Sequence, residues 1–104
     1  MKCIHWIGSS RQDMRAFPVA ARREAGYQLD KVQHGADPSD WKPMASVGAG
    51  VREIRIHIGG EFRVLYVVNI GTAVRVLHAF HKKTQRTSLH DLRLAQQRFQ
   101  SLTR

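Results

Sequence analysis

The sequence predicts an α+β domain: a small antiparallel, mixed sheet carrying an N-terminal helical arm and a C-terminal helix. Three observations point there. Residues 51–80 alternate apolar and polar side chains in three runs, the two-residue period of strands. Met14, Phe17, Ala21, Ala25, Leu29 and Val32 recur every three or four residues, the period of a helix face. Leu89, Leu92, Ala95, Phe99 and Leu102 repeat that pattern at the C-terminal end. At 104 residues, the chain is expected to form a single domain, 1–104.

Taken in order, Lys2 to Ile7 reads as a first strand, with Cys3 buried as a small hydrophobe. Ser10 with Asp13 resembles a capping box. The helical arm then runs from about 10 to 34. Pro18 either kinks it or opens a second helix, and Gly35 stops it. Residues 35–50 are rich in Gly, Pro, Ser and Asp and read as a loop, with Trp41 pinned to the core. Val51 to Ile58, Phe62 to Ile70 and Ala73 to Phe80 form the meander. Gly59-Gly60 makes its first turn and Asn69 to Thr72 its second. Val74, Val76, His78 and Phe80 are expected on one face. Ser88 and Asp91 resemble a second capping box, before the closing helix.

Composition narrows the function. The formal net charge is +9, from 17 Lys plus Arg against 8 Asp plus Glu. The excess is uneven: residues 1–51 hold 7 basic and 5 acidic side chains, residues 52–104 hold 10 and 3. The C-terminal half is therefore expected to face a polyanion. One cysteine excludes an internal disulfide and every cysteine-based zinc pattern. No run reaches the roughly 18 apolar residues of a membrane span, and the N-terminal residues are too polar for a signal peptide. The expectation is a cytoplasmic protein with no membrane partner, no metal and no cofactor.

The cations gather on and after the meander: Arg52, Arg55, Arg63, Arg75, Lys82, Lys83 and Arg86. Arg55 and Arg63 flank one turn, so they can be cross-strand neighbours. Like charges so placed repel unless an anion lies between them, and a phosphate suits two guanidinium forks. The plainer reading pairs each arginine with Glu53 or Glu61 on a solvated face. His78 and His81 do not read as a metal pair, because a strand sends residues i and i+3 to opposite faces. His81, before Lys82-Lys83, is a candidate proton donor or acceptor beside a phosphate. His57 is a further candidate on the arginine face. Gly48-Ala49-Gly50 lacks a following Gly-Lys-Ser/Thr and reads as a turn, not a phosphate loop.

Several segments together resemble the RelE/HigB superfamily of toxins, closest to its phage-derived HigB-like branch. They are Val51–Ile56 (V-R-E-I-R-I), Glu61–Tyr66 (E-F-R-V-L-Y), Val76–Thr87 (V-L-H-A-F-H-K-K-T-Q-R-T) and, on the arm, Ala20–Gly26 (A-A-R-R-E-A-G). The resemblance implies a RelE-like sheet flanked by helices. It further implies a type II toxin that cleaves mRNA, usually on the ribosome, without a metal. Its partners would be mRNA, ribosomal RNA and a cognate helix-turn-helix antitoxin. By position, Arg55, Arg63 and Lys82 or Lys83 match the family's basic site residues. Some relatives carry a catalytic tyrosine or histidine near the C-terminal segment; no tyrosine follows Tyr66 here, which leaves that role to His81 or another group. The expected catalytic set is Arg55, Arg63, His81, Lys82 and Lys83, with Arg52, His57, Arg75 and Arg86 holding RNA. Alternatives are a ParE-like gyrase poison on the same scaffold and a non-catalytic basic RNA- or DNA-binding domain.

Overall fold

The computed structural model describes residues 1–68 and 72–102. Five strands form one mixed sheet in the order β1-β5-β4-β3-β2. They are β1 (Ile4–Trp6), β2 (Trp41–Pro43), β3 (Arg52–Ile56), β4 (Phe62–Val67) and β5 (Val74–His81). β1 runs parallel to β5, and every other pair is antiparallel. The helices are α1 (Ser10–Arg15), α2 (Val19–Gln33) and α3 (Leu89–Leu102). This is an α+β fold of the RelE kind.

Two apolar clusters sandwich the sheet. Met14 and Phe17, with Ala21, Ala25, Leu29 and Val32 of α2, pack on Ile54, Ile56, Phe62, Val64, Tyr66, Val74 and Val76. On the opposite face, Leu65, Val67, Leu77 and Phe80 meet Met44, Val47, Val51 and Ala95, and are covered by Leu92 and Phe99 of α3. β4 is central, and all six of its residues are buried.

Local chemistry sets the boundaries. Pro18 precedes the first turn of α2, so the arm is two helices rather than one bent helix. α2 ends in a Schellman motif: Gly35 adopts φ 85°, its N–H bonds to the Val32 carbonyl, and the Ala36 N–H bonds to the Lys31 carbonyl. Ser88 caps α3 by accepting the Asp91 N–H and donating to the Asp91 carboxylate.

Several expectations change. Residues 41–43 form an edge strand inside the expected loop, because Trp41, Lys42 and Pro43 pair with Ile54, Glu53 and Arg52. Trp41 is half-buried and joins neither core cluster; the Arg52 guanidinium stacks on its ring at 4.0 Å. Cys3 lies just before β1 and is exposed. At α1, Ser9 rather than Ser10 bonds to Asp13, while Ser10 is buried and donates to the Val76 carbonyl. β3 ends at Ile56, so the β3–β4 connection is five residues, with Gly59 and Gly60 both at positive φ. A bulge breaks the β4–β5 register between Leu65 and Tyr66. It turns His78 and Phe80 to the α3 face, away from Val74 and Val76. The second turn, expected at 69–72, lies outside the described residues for 69–71.

Candidate nucleic-acid interface

The two-residue period of β3 and β4 places Glu53, Arg55 and Arg63 on the α3 face, with Arg55 and Arg63 nearest the 57–61 loop. Arg55 pairs directly with Arg63, and Arg63 with Phe80. The two arginines differ. Arg63 is 2% exposed and enclosed by carboxylates: its NH2 nitrogen lies 3.0 Å from Glu61 Oε1, and its Nε lies 3.6 Å from Glu53 Oε1. A third donor bonds to the Phe62 carbonyl. Arg55 is half-buried, and among the described residues its side chain makes no ion pair or hydrogen bond.

Glu53 is 1% exposed and also meets Lys42 Nζ at 3.8 Å, a contact that β2 delivers. Lys42 and Glu53 are register partners, so the edge strand is part of the site. Four buried side-chain polar atoms lack a hydrogen-bond partner among the described residues. Three of them, Glu53 Oε2, Arg55 Nε and Arg63 Nε, belong to this cluster. Buried polar atoms are nearly always satisfied by protein or water, so three such atoms together make this cluster the candidate site.

His57 closes one side of the cluster. Its Nε2 lies 2.6 Å from Asp40, and its Nδ1 lies 2.8 Å from both oxygens of Glu61. Two carboxylates flanking one ring are both satisfied only when both nitrogens carry protons, so the arrangement favours the imidazolium form. Hydrogen bonds to Asp40 and Glu61 raise the His57 pKa above its ordinary 6.5. The Glu61 carboxyl is held below its ordinary range, by His57 first and Arg63 second. Asp40 is fixed in turn by the chain around it. Its carbonyl accepts the Arg55 N–H, and buried Gln28 of α2 holds neighbouring Ser39.

The other expected site residues are dispersed. Arg52 faces the α1–α2 side, where it pairs with Asp37 and stacks on Trp41; bonds to Tyr66 and Asp37 outweigh burial and raise its pKa. Arg75 pairs with Val67, at the far end of β4 from Arg63. His81 pairs with Phe62 and stacks on its ring, across the sheet from Arg55 and Arg63. His78 is buried on the α3 face and bonds to Asp91 at 2.7 Å, so His78 and His81 do lie on opposite faces. The Lys82 N–H bonds to the Glu61 carbonyl and extends the pleat one residue past His81, to the Arg63 side. Lys83 and Arg86 are exposed in the following segment.

A family model described as phage derived protein Gp49-like matches residues 12–100. The chain belongs to the Gp49-like family. This family is associated with RelE/HigB-like toxins. A search of curated proteins finds no match. The Gp49-like match spans the last part of α1, all of α2, β2 to β5 and most of α3, and so every residue of the arginine cluster.

Asp40 and Lys42 were not legible as site residues in this Gp49-like chain, because their segment reads as a loop. One signal is present in the sequence: Trp41-Lys42-Pro43 is a short run between turn formers, followed by a strand able to pair with it.

Proposed function

We propose that the chain is the toxin of a type II toxin–antitoxin system and an mRNA endoribonuclease acting on the ribosome. The observation that carries this reading is the Arg55–Arg63 register pair, with its cluster of unsatisfied polar atoms at the basic end of a Gp49-like sheet.

In the reaction, the RNA 2′-hydroxyl passes its proton to solvent water and its oxygen attacks the adjacent phosphorus. The bond to the 5′-oxygen breaks, and that oxygen takes a proton. The products are a 2′,3′-cyclic phosphate and a 5′-hydroxyl. Negative charge grows on the phosphoryl oxygens, so prepositioned cations lower the barrier. Arg55 is the accessible, unneutralised guanidinium and meets those oxygens. Arg63 is a positioning residue: enclosed by Glu53 and Glu61, it fixes the strand pair behind Arg55. Lys82 and Lys83 hold the flanking backbone, and an ammonium there is a proton source for the 5′-oxygen. A cognate helix-turn-helix antitoxin silences the chain by covering this end of the sheet.

The test is primer extension on a reporter mRNA in a purified translation system, with Arg55→Ala as the control. Defined cuts in the reading frame, lost with Arg55→Ala and absent without ribosomes, support the reading. Cuts without ribosomes keep the nuclease and remove the ribosome. DNA damage with gyrase, or binding with no cut, would replace the reading with one of its alternatives.

A further inference from the structure

Sequence alone shows no aromatic platform, yet the fold builds one at the same end of the sheet. Phe62 and His81 are cross-strand partners whose rings lie 4.6 Å apart and 22° from parallel. Phe17, just after α1, extends the ladder at 4.7 Å from Phe62 and 44°. Phe17 and Phe62 are buried, whereas His81 is exposed. Beside them opens a cavity of about 320 Å³, lined by Asp13, Phe17, Pro18, Gly59, Phe62 and His81. Glycine at position 60 leaves room for the ring pair, since a Cβ there would crowd His81 Nε2 at 3.2 Å and the Phe62 ring at 3.3 Å.

We propose that this cavity is a nucleobase site, in which one base of a single-stranded RNA stacks on His81. The inference rests on RNA being the substrate and adds where a base is held. The stacked Phe62–His81 pair gives one wall a flat aromatic surface, which suits an uncharged ring. Asp13 places a carboxylate in the lining, which disfavours a phosphate inside. The cations that attract the backbone lie outside, because Lys82 and Lys83 follow His81 directly. The two sites also connect. Phe62–His81 and Arg63–Phe80 are adjacent rungs of one ladder, so a strand rounding the sheet end passes from the His81 face to the Arg55 face over Lys82. His81 here supplies a stacking surface rather than a proton.

A 2′-O-methyl oligoribonucleotide, which cannot undergo 2′-hydroxyl attack, isolates binding from cleavage. Fluorescence anisotropy would compare it with a set of oligomers each lacking one base, for wild type, His81→Ala and His81→Phe. We expect one abasic position to weaken wild-type binding about tenfold, the scale of one stacked base. His81→Phe should keep that discrimination and His81→Ala should lose it. Equal binding of intact and abasic oligomers by the wild type, discrimination surviving in His81→Ala, or no binding of the intact oligomer would each overturn the site. An apolar peptide competing at this cavity while the abasic set shows no preference would assign it to a protein partner instead. Base discrimination without mRNA cuts in the translation assay keeps this site and removes the nuclease. Cuts without discrimination do the reverse.

Discussion

Arg55 stands directly opposite Arg63 in the β3–β4 register, and the two guanidiniums have opposite electrostatic situations. Arg63 is enclosed by Glu53 and Glu61, while Arg55 has no charged partner among the described residues. Two like charges side by side cost stability in a sheet. Here the carboxylates neutralise one and leave the other without a charged partner among the described residues.

This division predicts that the two alanine variants fail differently. Arg55→Ala should abolish mRNA cleavage and leave the unfolding free energy within about 0.5 kcal/mol of wild type, as for a substitution that breaks no buried partnership. Arg63→Ala leaves the Glu53 carboxylate buried without its guanidinium and should cost about 3–5 kcal/mol. That is a large share of the roughly 5–15 kcal/mol that holds a small domain together. Urea denaturation of both variants checks the difference; equal midpoints would remove the positioning role of Arg63.

A second expectation concerns pH at the β3–β4 loop. The His57 pKa is raised, so its contribution is complete below 6.5 and is lost as pH rises through the higher folded value. Glu61 is depressed, so its contribution is complete above 4.5 and is lost as pH falls through the lower folded value. The Asp40–His57–Glu61 contact should therefore be tightest between about pH 4.5 and 6.5. An NMR titration of the His57 ring reads this directly, and a midpoint at or below 6.5 would contradict it.

His78 should titrate with the opposite sign. Burial lowers its pKa, and the bond to Asp91 offsets this only in part. The neutral ring is favoured in the folded state, so this contribution is present above pH 6.5 and is lost as pH falls towards the lower folded value. Asp91→Ala removes both the partner of His78 and the capping carboxylate of α3, and should cost about 1–2 kcal/mol at neutral pH. Thermal melts of wild type and Asp91→Ala between pH 5 and 8 measure both effects.

Gly48→Ala tests how α3 is seated. A Cβ at position 48 would run into the Phe99 ring, which closes the second core cluster. Overpacking of this kind should cost about 1–3 kcal/mol. If the variant melts with the wild type, Phe99 is free to move aside and α3 is less firmly docked than its contacts imply.

Much of the fold was legible because its signals are local. The stripe Ala21, Ala25, Leu29 and Val32 declares one helix face whatever it packs on. The alternation through Ile54, Ile56, Phe62, Val64 and Tyr66 declares strands, and a turn between adjacent strands brings Arg55 opposite Arg63. What stayed hidden depends on partners distant in sequence. β2 is too short to show a period and becomes a strand only because β3 supplies its hydrogen bonds. The bulge at Leu77–His78, which sends His78 to Asp91 rather than to Val76, leaves no local mark. The same holds for the charges. The sequence by itself determined that a basic sheet end exists and which residues can occupy it. Only the tertiary structure decided that Glu53 and Glu61 neutralise Arg63 but not Arg55, and that His81 stands with Phe17 and Phe62 on the other face. Burial and pairing are properties of neighbours in space, and a chain read in order does not contain them.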